Sequence, residues 1–211
     1  MEDGTNMIDY LEHIREVHFN AIHNFRLYQK LMIARSPKLV GSAQAKKNND
    51  TLNSYKGVFT TTRIATRYTS LMSAAILFTP GRSKNGDPSI SLIDLMDRID
   101  KLTTKSKEQT NELSNLQQGI QNHQAKIDAL RAWRNQQMAH LDLNPDDVSM
   151  SDKDLDDLTG LSKKILALAE WCFEFTTLTL DQFLQNAHLS YLATETDIDW
   201  DFDKLLNKLQ S

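Results

Sequence analysis

A long run of apolar residues, spaced by three or four positions or by sums of these steps, constrains the fold of this chain more than any other feature. The run comprises Leu113, Leu116, Ile120, Ile127, Leu130 and Leu141. This spacing puts side chains on one face of an α-helix, called the seam below. It predicts one long helix that begins near Ser106 and ends near Asn144-Pro145, because the residue before a proline disfavours helical geometry.

Two polar residues, Arg134 and Gln137, lie on the seam where the spacing calls for apolar side chains. A guanidinium keeps its charge at any accessible pH and costs several kcal/mol to bury without partners. Arg134 is therefore expected to face an anion, a set of backbone carbonyls or a wet cleft.

His140 follows Arg134 by six positions and titrates near neutral pH. Six residues of a regular helix advance about 9 Å and turn about 240°, so the two side chains do not share a face. They could meet through the length of Arg134, through a distortion at the helix end, or across a two-fold axis of a dimer. Alternatively, Arg134 makes a structural salt bridge and His140 is a solvated residue at a helix C-terminus.

The rest of the chain is also predicted to be helical. Helical periodicity covers residues 6–34, 51–78 and 158–183, and Ser91 with Asp94 resembles a capping box that opens a short helix through Leu102. We expect residues 35–50 to form a linker or a loop with a short helix. The prediction is an all-α, antiparallel bundle of four to five main helices in a single domain, 1–211.

Two other segments are predicted to be non-helical or peripheral. The Pro- and Gly-containing stretch 79–90 is expected to be an exposed loop, and an acidic tail begins at about residue 195. A second, acidic loop is expected from Asn144 to Ser151. The acidic residues in and after it could repel RNA, bind a cation, bind a basic partner or begin a helix: Asp146, Asp147, Asp152, Asp154, Asp156 and Asp157.

Composition narrows the class of protein. The chain has 211 residues, 40% hydrophobic residues and a formal net charge of −4, so it can bury a core but any nucleic-acid contact must come from a local basic patch. The single cysteine, Cys172, lies among aromatic residues and is expected to be a buried hydrophobe. No segment is apolar enough to cross a membrane, so a cytoplasmic protein without a membrane partner is expected.

Several other site classes are disfavoured by spacing. His13, His18 and His23 are five residues apart, unlike the four-residue step that brings two imidazoles to one metal, and His18 is expected to be a hydrogen-bonded core residue. Arg63 and Arg67 lie one turn apart and could support an anion site, although a surface position is the favoured interpretation. No nucleotide-binding loop is present in the sequence, and no metal or cofactor is predicted.

The stretch from Arg134 to His140 resembles the Arg-x(4–6)-His signature of the HEPN superfamily. The surrounding residues, from Leu130 through Asn135 to Asp142, resemble its abortive-infection type-U branch, and so does the segment Ser89–Leu95. The resemblance implies an all-helical, dimerising fold with a metal-independent endoribonuclease activity, of the kind found in toxins and phage-defence effectors.

In this interpretation His140 is the general acid or base and Arg134 stabilises charge on the phosphate. Asn135 and Asp142 are supporting residues that orient His140 or contact phosphate. HEPN toxins that are silenced by nucleotidylation carry a tyrosine at the position of Asp142, so control by that modification is not expected here.

The expected partners are RNA, a second copy of the chain and a cognate antitoxin protein, but not DNA. One alternative is a catalytically silent helical module that binds RNA or protein, and another is a purely structural bundle. A scaffold predicts that Arg134 is ion-paired in a dry interface, whereas an enzyme predicts Arg134 in an open cleft.

Overall fold

The computed structural model describes residues 3–80, 91–139, 150–173 and 202–210, and these residues form helices joined by short connections without any β-strand. Eight helices have the following bounds: α1 Asp3–Ala34, α2 Pro37–Val40, α3 Ser42–Ser54, α4 Lys56–Phe78, α5 Leu92–Asp100, α6 Lys107–Asn122, α7 Gln124–Ala139 and α8 Asp152–Phe173. A further helix, α9, spans residues 202–210. The prediction of an all-α fold is confirmed.

The longest helix, α1, packs between α4 and α8. Its end lies beside the start of α4, since Leu31 and Phe59 share one apolar cluster. Its ion pairs with α8 run in opposite order along the two helices, since Arg15 pairs with Glu170 and Arg26 with Asp156. Both neighbours are therefore antiparallel to α1, as the bundle prediction required.

Two connections differ from the sequence prediction. Residues 42–54 form a regular 13-residue helix, α3, where a linker or a loop with a short helix was expected up to residue 50, because Ala45, Asn48 and Leu52 bury one face of it. The amide of Asn48 donates to the carbonyl of Ala34, 2.8 Å away, and so caps the end of α1. Tyr55 then separates α3 from α4, with φ −116° and ψ 36°.

The predicted long helix is divided at His123 into α6 and α7. Its start is as expected, because Ser106 and Gln109 form a reciprocal capping box. At His123 the backbone leaves helical geometry, with φ −102° and ψ 7°, and the ring Nδ1 lies 2.9 Å from the carbonyl oxygen of Gly119. The seam therefore belongs to two helices. The N-cap predicted at Ser91 is confirmed, since its Oγ accepts from the amide of Asp94 at 3.1 Å.

The buried side chains form two separate clusters. The main core joins residues of α1, α4, α5, α6, α7 and α8, including Phe25, Phe78 and Trp133. The smaller cluster joins the end of α1, α3, the start of α4 and α9. Cys172 is buried in the main core, as predicted, and burial raises the pKa of its thiol to about 11.

Candidate functional site at the end of helix α7

Helix α7 carries the described part of the predicted site, and the buried side chains on its inner face hold it in place. Ile127, Leu130 and Trp133 are buried there. The indole of Trp133 meets the ring of Tyr68 on α4 edge-on, with 5.6 Å between ring centroids. This packing holds the last turns of α7 against the middle of α4 and sets the direction in which Arg134 points.

Arg134 is half-buried, and within the described part of the chain it has no carboxylate partner. Its Nη2 donates to Oδ1 of the neighbouring Asn135 at 3.1 Å. Its Nε is buried and has no hydrogen-bond acceptor among these residues. Burial lowers the pKa of Arg134, and the nearby Arg131 lowers it further. The structural salt bridge expected of a scaffold is thus not formed by any described residue.

Two neighbouring side chains share this unsatisfied hydrogen-bonding capacity. Nε1 of Trp133 and Nε2 of Gln137 are buried and also have no acceptor among the described residues. On a regular helix these positions and Arg134 fall within an arc of about 100°. Each atom is an N–H donor, and buried donors are ordinarily paired. This arc of α7 is therefore suited to binding a group rich in acceptor oxygens.

The other predicted site residues are only partly covered by the structure. Asn135 is exposed and accepts from Arg134, so these two side chains are in contact. His140 and Asp142 lie outside the described residues. The meeting of Arg134 with His140, and the supporting role of Asp142, stay predictions.

Arg67 is a buried anchor, which sequence reasoning missed because a surface position was favoured. Its Nη1 donates to Asp152 at 2.9 Å, and its Nη2 donates to the carbonyl of Met150 at 2.8 Å. Its guanidinium also lies 5.0 Å from the ring centroid of Tyr28. Arg67 therefore ties the start of α8 to α4. All its partners are far from it in sequence, so no local pattern could have revealed them.

The acidic residues at the start of α8 are used within the chain. Asp152 pairs with Arg67, Asp154 with Lys126 at 3.2 Å, Asp156 with Arg26 at 3.8 Å and Asp157 with Lys153 at 2.7 Å. Asp154 also accepts from the amide and hydroxyl of Ser151, which cap the helix and lower the pKa of this carboxyl to about 2. These contacts explain the acidic residues from Asp152 to Asp157 by helix capping and ion pairing. Asp146 and Asp147 lie outside the described residues.

His18 is a core residue, as predicted. It is 1% exposed, and its Nδ1 lies 2.8 Å from Oγ of Ser162, whose hydroxyl donates to the carbonyl of Thr159. His13 instead contacts the carbonyl of Asp9. Across the ranges that the structure describes, no three His, Cys, Asp or Glu side chains are grouped so that they could hold a metal ion.

The comparisons with known proteins gave one match. A family model described as AbiU2, of the HEPN class, matches residues 5–194. Neither the curated proteins nor the solved structures contain a match to this chain. Among the described helices, none is long and apolar enough to span a bilayer.

Proposed function

The chain belongs to the HEPN family AbiU2, and from this premise we propose that it is a metal-independent endoribonuclease of abortive infection, a toxin or phage-defence effector. The observation that carries the proposal is the environment of Arg134. This half-buried guanidinium has no ion-pair partner among the described residues, and its Nε has no acceptor there. A phosphate group would supply both the charge and the oxygens that it lacks.

The proposed reaction is a transesterification within the RNA strand. The 2′-hydroxyl attacks the adjacent phosphorus, the bond to the 5′-oxygen of the next nucleotide breaks, and the products are a 2′,3′-cyclic phosphate and a 5′-hydroxyl. His140 moves a proton as general acid or base, an effect worth about 10²–10⁴-fold. Arg134 stabilises the charge that develops on the phosphate oxygens. Asn135, which Arg134 already contacts, and Asp142 orient these groups.

We also propose that the site is composite and forms in a homodimer, where His140 of one subunit serves the phosphate held by Arg134 of the other. This arrangement removes the difficulty that six helical residues separate the two side chains by about 240°. A two-fold axis would create two such sites per dimer.

Cleavage of mixed cellular RNA by purified protein in EDTA tests the proposal. We expect the wild-type chain to cleave, and Arg134→Ala and His140→Ala to lose at least about 10²-fold in rate, the usual cost of an electrostatic stabiliser or a general acid–base group. Arg131→Ala is the matched control, because Arg131 is an exposed arginine one turn earlier on the same helix. It should cleave at a rate near that of the wild type.

Each variant is first checked for unchanged helical content and dimerisation. Equal cleavage by wild type and His140→Ala would point to a contaminating nuclease and remove the support for the site. No cleavage by any variant or the wild type, with toxicity also absent on overexpression, would favour a silent module that binds RNA or protein.

A further inference from the structure

An apolar pocket lies between α1, the start of α4 and α9, and none of its lining residues is on α7. Its volume is about 320 Å³, within the range of pockets that bind small ligands. The only polar groups among its lining side chains are the hydroxyls of Tyr55 and Thr62, and the lining comprises Leu27, Leu31, Tyr55, Val58, Phe59, Thr62, Phe202, Leu205 and Leu209. This lining fits a hydrocarbon and offers little to a polar ligand.

Basic residues surround the pocket in sequence. Six basic residues directly neighbour a lining residue, whereas two acidic residues, Asp201 and Asp203, do so; the basic ones are Arg26, Lys30, Lys56, Arg63, Lys204 and Lys208. Basic residues therefore outnumber acidic ones beside the lining in sequence, and Lys56 among them is exposed.

The excess of basic residues extends along the sequence from the end of α1 through α4. Residues 24–80 contain nine lysines and arginines but only one acidic residue, Asp50, although the chain as a whole has a net charge of −4. Lys38, Lys46, Lys47 and Lys56 are exposed, and no described residue forms an ion pair with them. The contrast with α8, whose acidic residues are ion-paired, indicates a surface for an external anion.

Exposed apolar side chains are concentrated at the same end. Of the eight large hydrophobic side chains exposed in the described structure, seven lie between residues 32 and 64 or on α9. The most exposed are Val58, at 64%, and Leu39, at 63%. Scattered apolar residues are normal on a surface, but such a concentration marks an interaction site.

We propose that this pocket binds an acyl chain of an anionic phospholipid at a membrane surface, while Lys56 and the exposed lysines of α2 and α3 hold the headgroup. The combination of exposed apolar side chains with unpaired lysines is that of peripheral membrane contacts. RNA would use the lysines but not the aliphatic pocket. The proposal departs from the expectation of no membrane partner, which was based on the absence of a segment apolar enough to cross a membrane.

Sedimentation of the full-length protein with lipid vesicles tests the proposal. We expect binding to vesicles of phosphatidylcholine and phosphatidylglycerol in equal parts, and much weaker binding to phosphatidylcholine alone. Val58→Ser removes apolar surface at the pocket, and Lys56→Gln removes charge from its rim. Lys56→Gln should weaken binding to the mixed vesicles about five-fold, the cost of one lost basic residue at an anionic surface. Val58→Ser should weaken it by a similar factor, because less apolar area is buried when the protein binds.

Two variants serve as matched controls. Phe19→Ser changes the exposed large apolar residue that lies outside this end, and Lys164→Gln removes an exposed lysine of α8. Both should sediment like the wild type. Folding of every variant is checked by its thermal unfolding.

Three results would overturn the proposal: no sedimentation with mixed vesicles, equal sedimentation with both vesicle types, or loss of binding in Lys56→Gln with no effect of Val58→Ser. The last would indicate a purely electrostatic surface, as expected for RNA. Since the assay does not read out RNA cleavage, its outcome is independent of the ribonuclease proposal.

Discussion

At the scale of single residues, His18 links the packing of α1 on α8 to pH. Burial lowers the pKa of His18 to about 4, and the positive charge of Lys163 adds to this shift. The imidazole is therefore neutral in the folded protein at neutral pH. The ring lies in the core, where its Nδ1 hydrogen-bonds Ser162. A protonated ring there would carry a charge that water solvates poorly.

This environment makes the stability of the fold sensitive to acid. Between its unfolded pKa of about 6.5 and its folded value, His18 binds a proton more readily in the unfolded chain. The free energy of unfolding should therefore fall as the pH is lowered through this window, by up to about 3 kcal/mol from this residue. Urea unfolding of wild type and His18→Gln over the window measures the effect.

His18→Gln should be less stable at neutral pH, because it disturbs a buried contact, but should show a flatter pH dependence. His13→Gln is the control, since His13 is exposed on the same helix and should keep the wild-type slope. An unchanged slope in His18→Gln would contradict this account of acid sensitivity.

At the scale of helices, two glycines differ in how closely their helices are packed. A Cβ at Gly119 on α6 would lie 3.0 Å from Cδ1 of Leu161 on α8, whereas a Cβ at Gly160 would meet nothing within 4 Å. Helices α6 and α8 can approach this closely at Gly119 because glycine has no side chain.

The two glycine-to-alanine substitutions should therefore differ in stability. Gly160→Ala should stabilise the protein by about 0.5–1 kcal/mol, because alanine loses less backbone entropy in a helix. Gly119→Ala gains the same entropic stabilisation, but its methyl group must displace the side chain of Leu161. It should therefore stabilise the protein less, or destabilise it. Thermal unfolding of both variants checks the order, and a larger gain from Gly119→Ala would refute it.

Helix prediction succeeded where apolar spacing or a cap was strong and failed where it was weak. The periodicity of α1 and the cap at Ser91 identified their helices directly, and the start of α6 was expected near Ser106, where the structure has a capping box. The extent of α3 was not predicted beyond a short helix in a loop, because its buried face consists of Ala45, Asn48 and Leu52, which is a weak apolar pattern. The break at His123 was missed because the apolar spacing continues across it, and helical hydrogen bonding is not visible in that spacing.

The candidate site was predictable from sequence to a different extent. A charged residue on the seam identified Arg134, and the resemblance supplied roles for it and for His140. The burial of Trp133 and Gln137 with unsatisfied donors depends on how α7 packs on α4, which no local pattern specifies. Arg67 was misjudged for the same reason.

At the scale of the whole molecule, the proposed composite site makes a prediction about mixed dimers. Arg134→Ala and His140→Ala proteins should each be inactive alone. When subunits are mixed and exchanged in equal amounts, half of the dimers are heterodimers, and each would contain one intact site. Cleavage should then recover to about one quarter of the wild-type rate.

The assay is RNA cleavage after denaturation and refolding of the mixture, with each variant refolded alone as the control. Sites formed within single subunits would give no recovery, because every subunit in the mixture carries one defective residue. Absence of recovery in a mixture shown to contain heterodimers would therefore exclude the shared site.

The two hydrophobic clusters imply two parts of the structure that can unfold separately. Helix α9 buries Phe202 and Leu206 only in the smaller cluster, and Gln210 bonds Asn48 of α3 at 2.7 Å. Release of α9 breaks these contacts and leaves the main core closed, so it costs less free energy than global unfolding. Amide hydrogens of α9 should accordingly exchange through local opening, and a molecule seated against α9 would slow their exchange while leaving that of the main core unchanged.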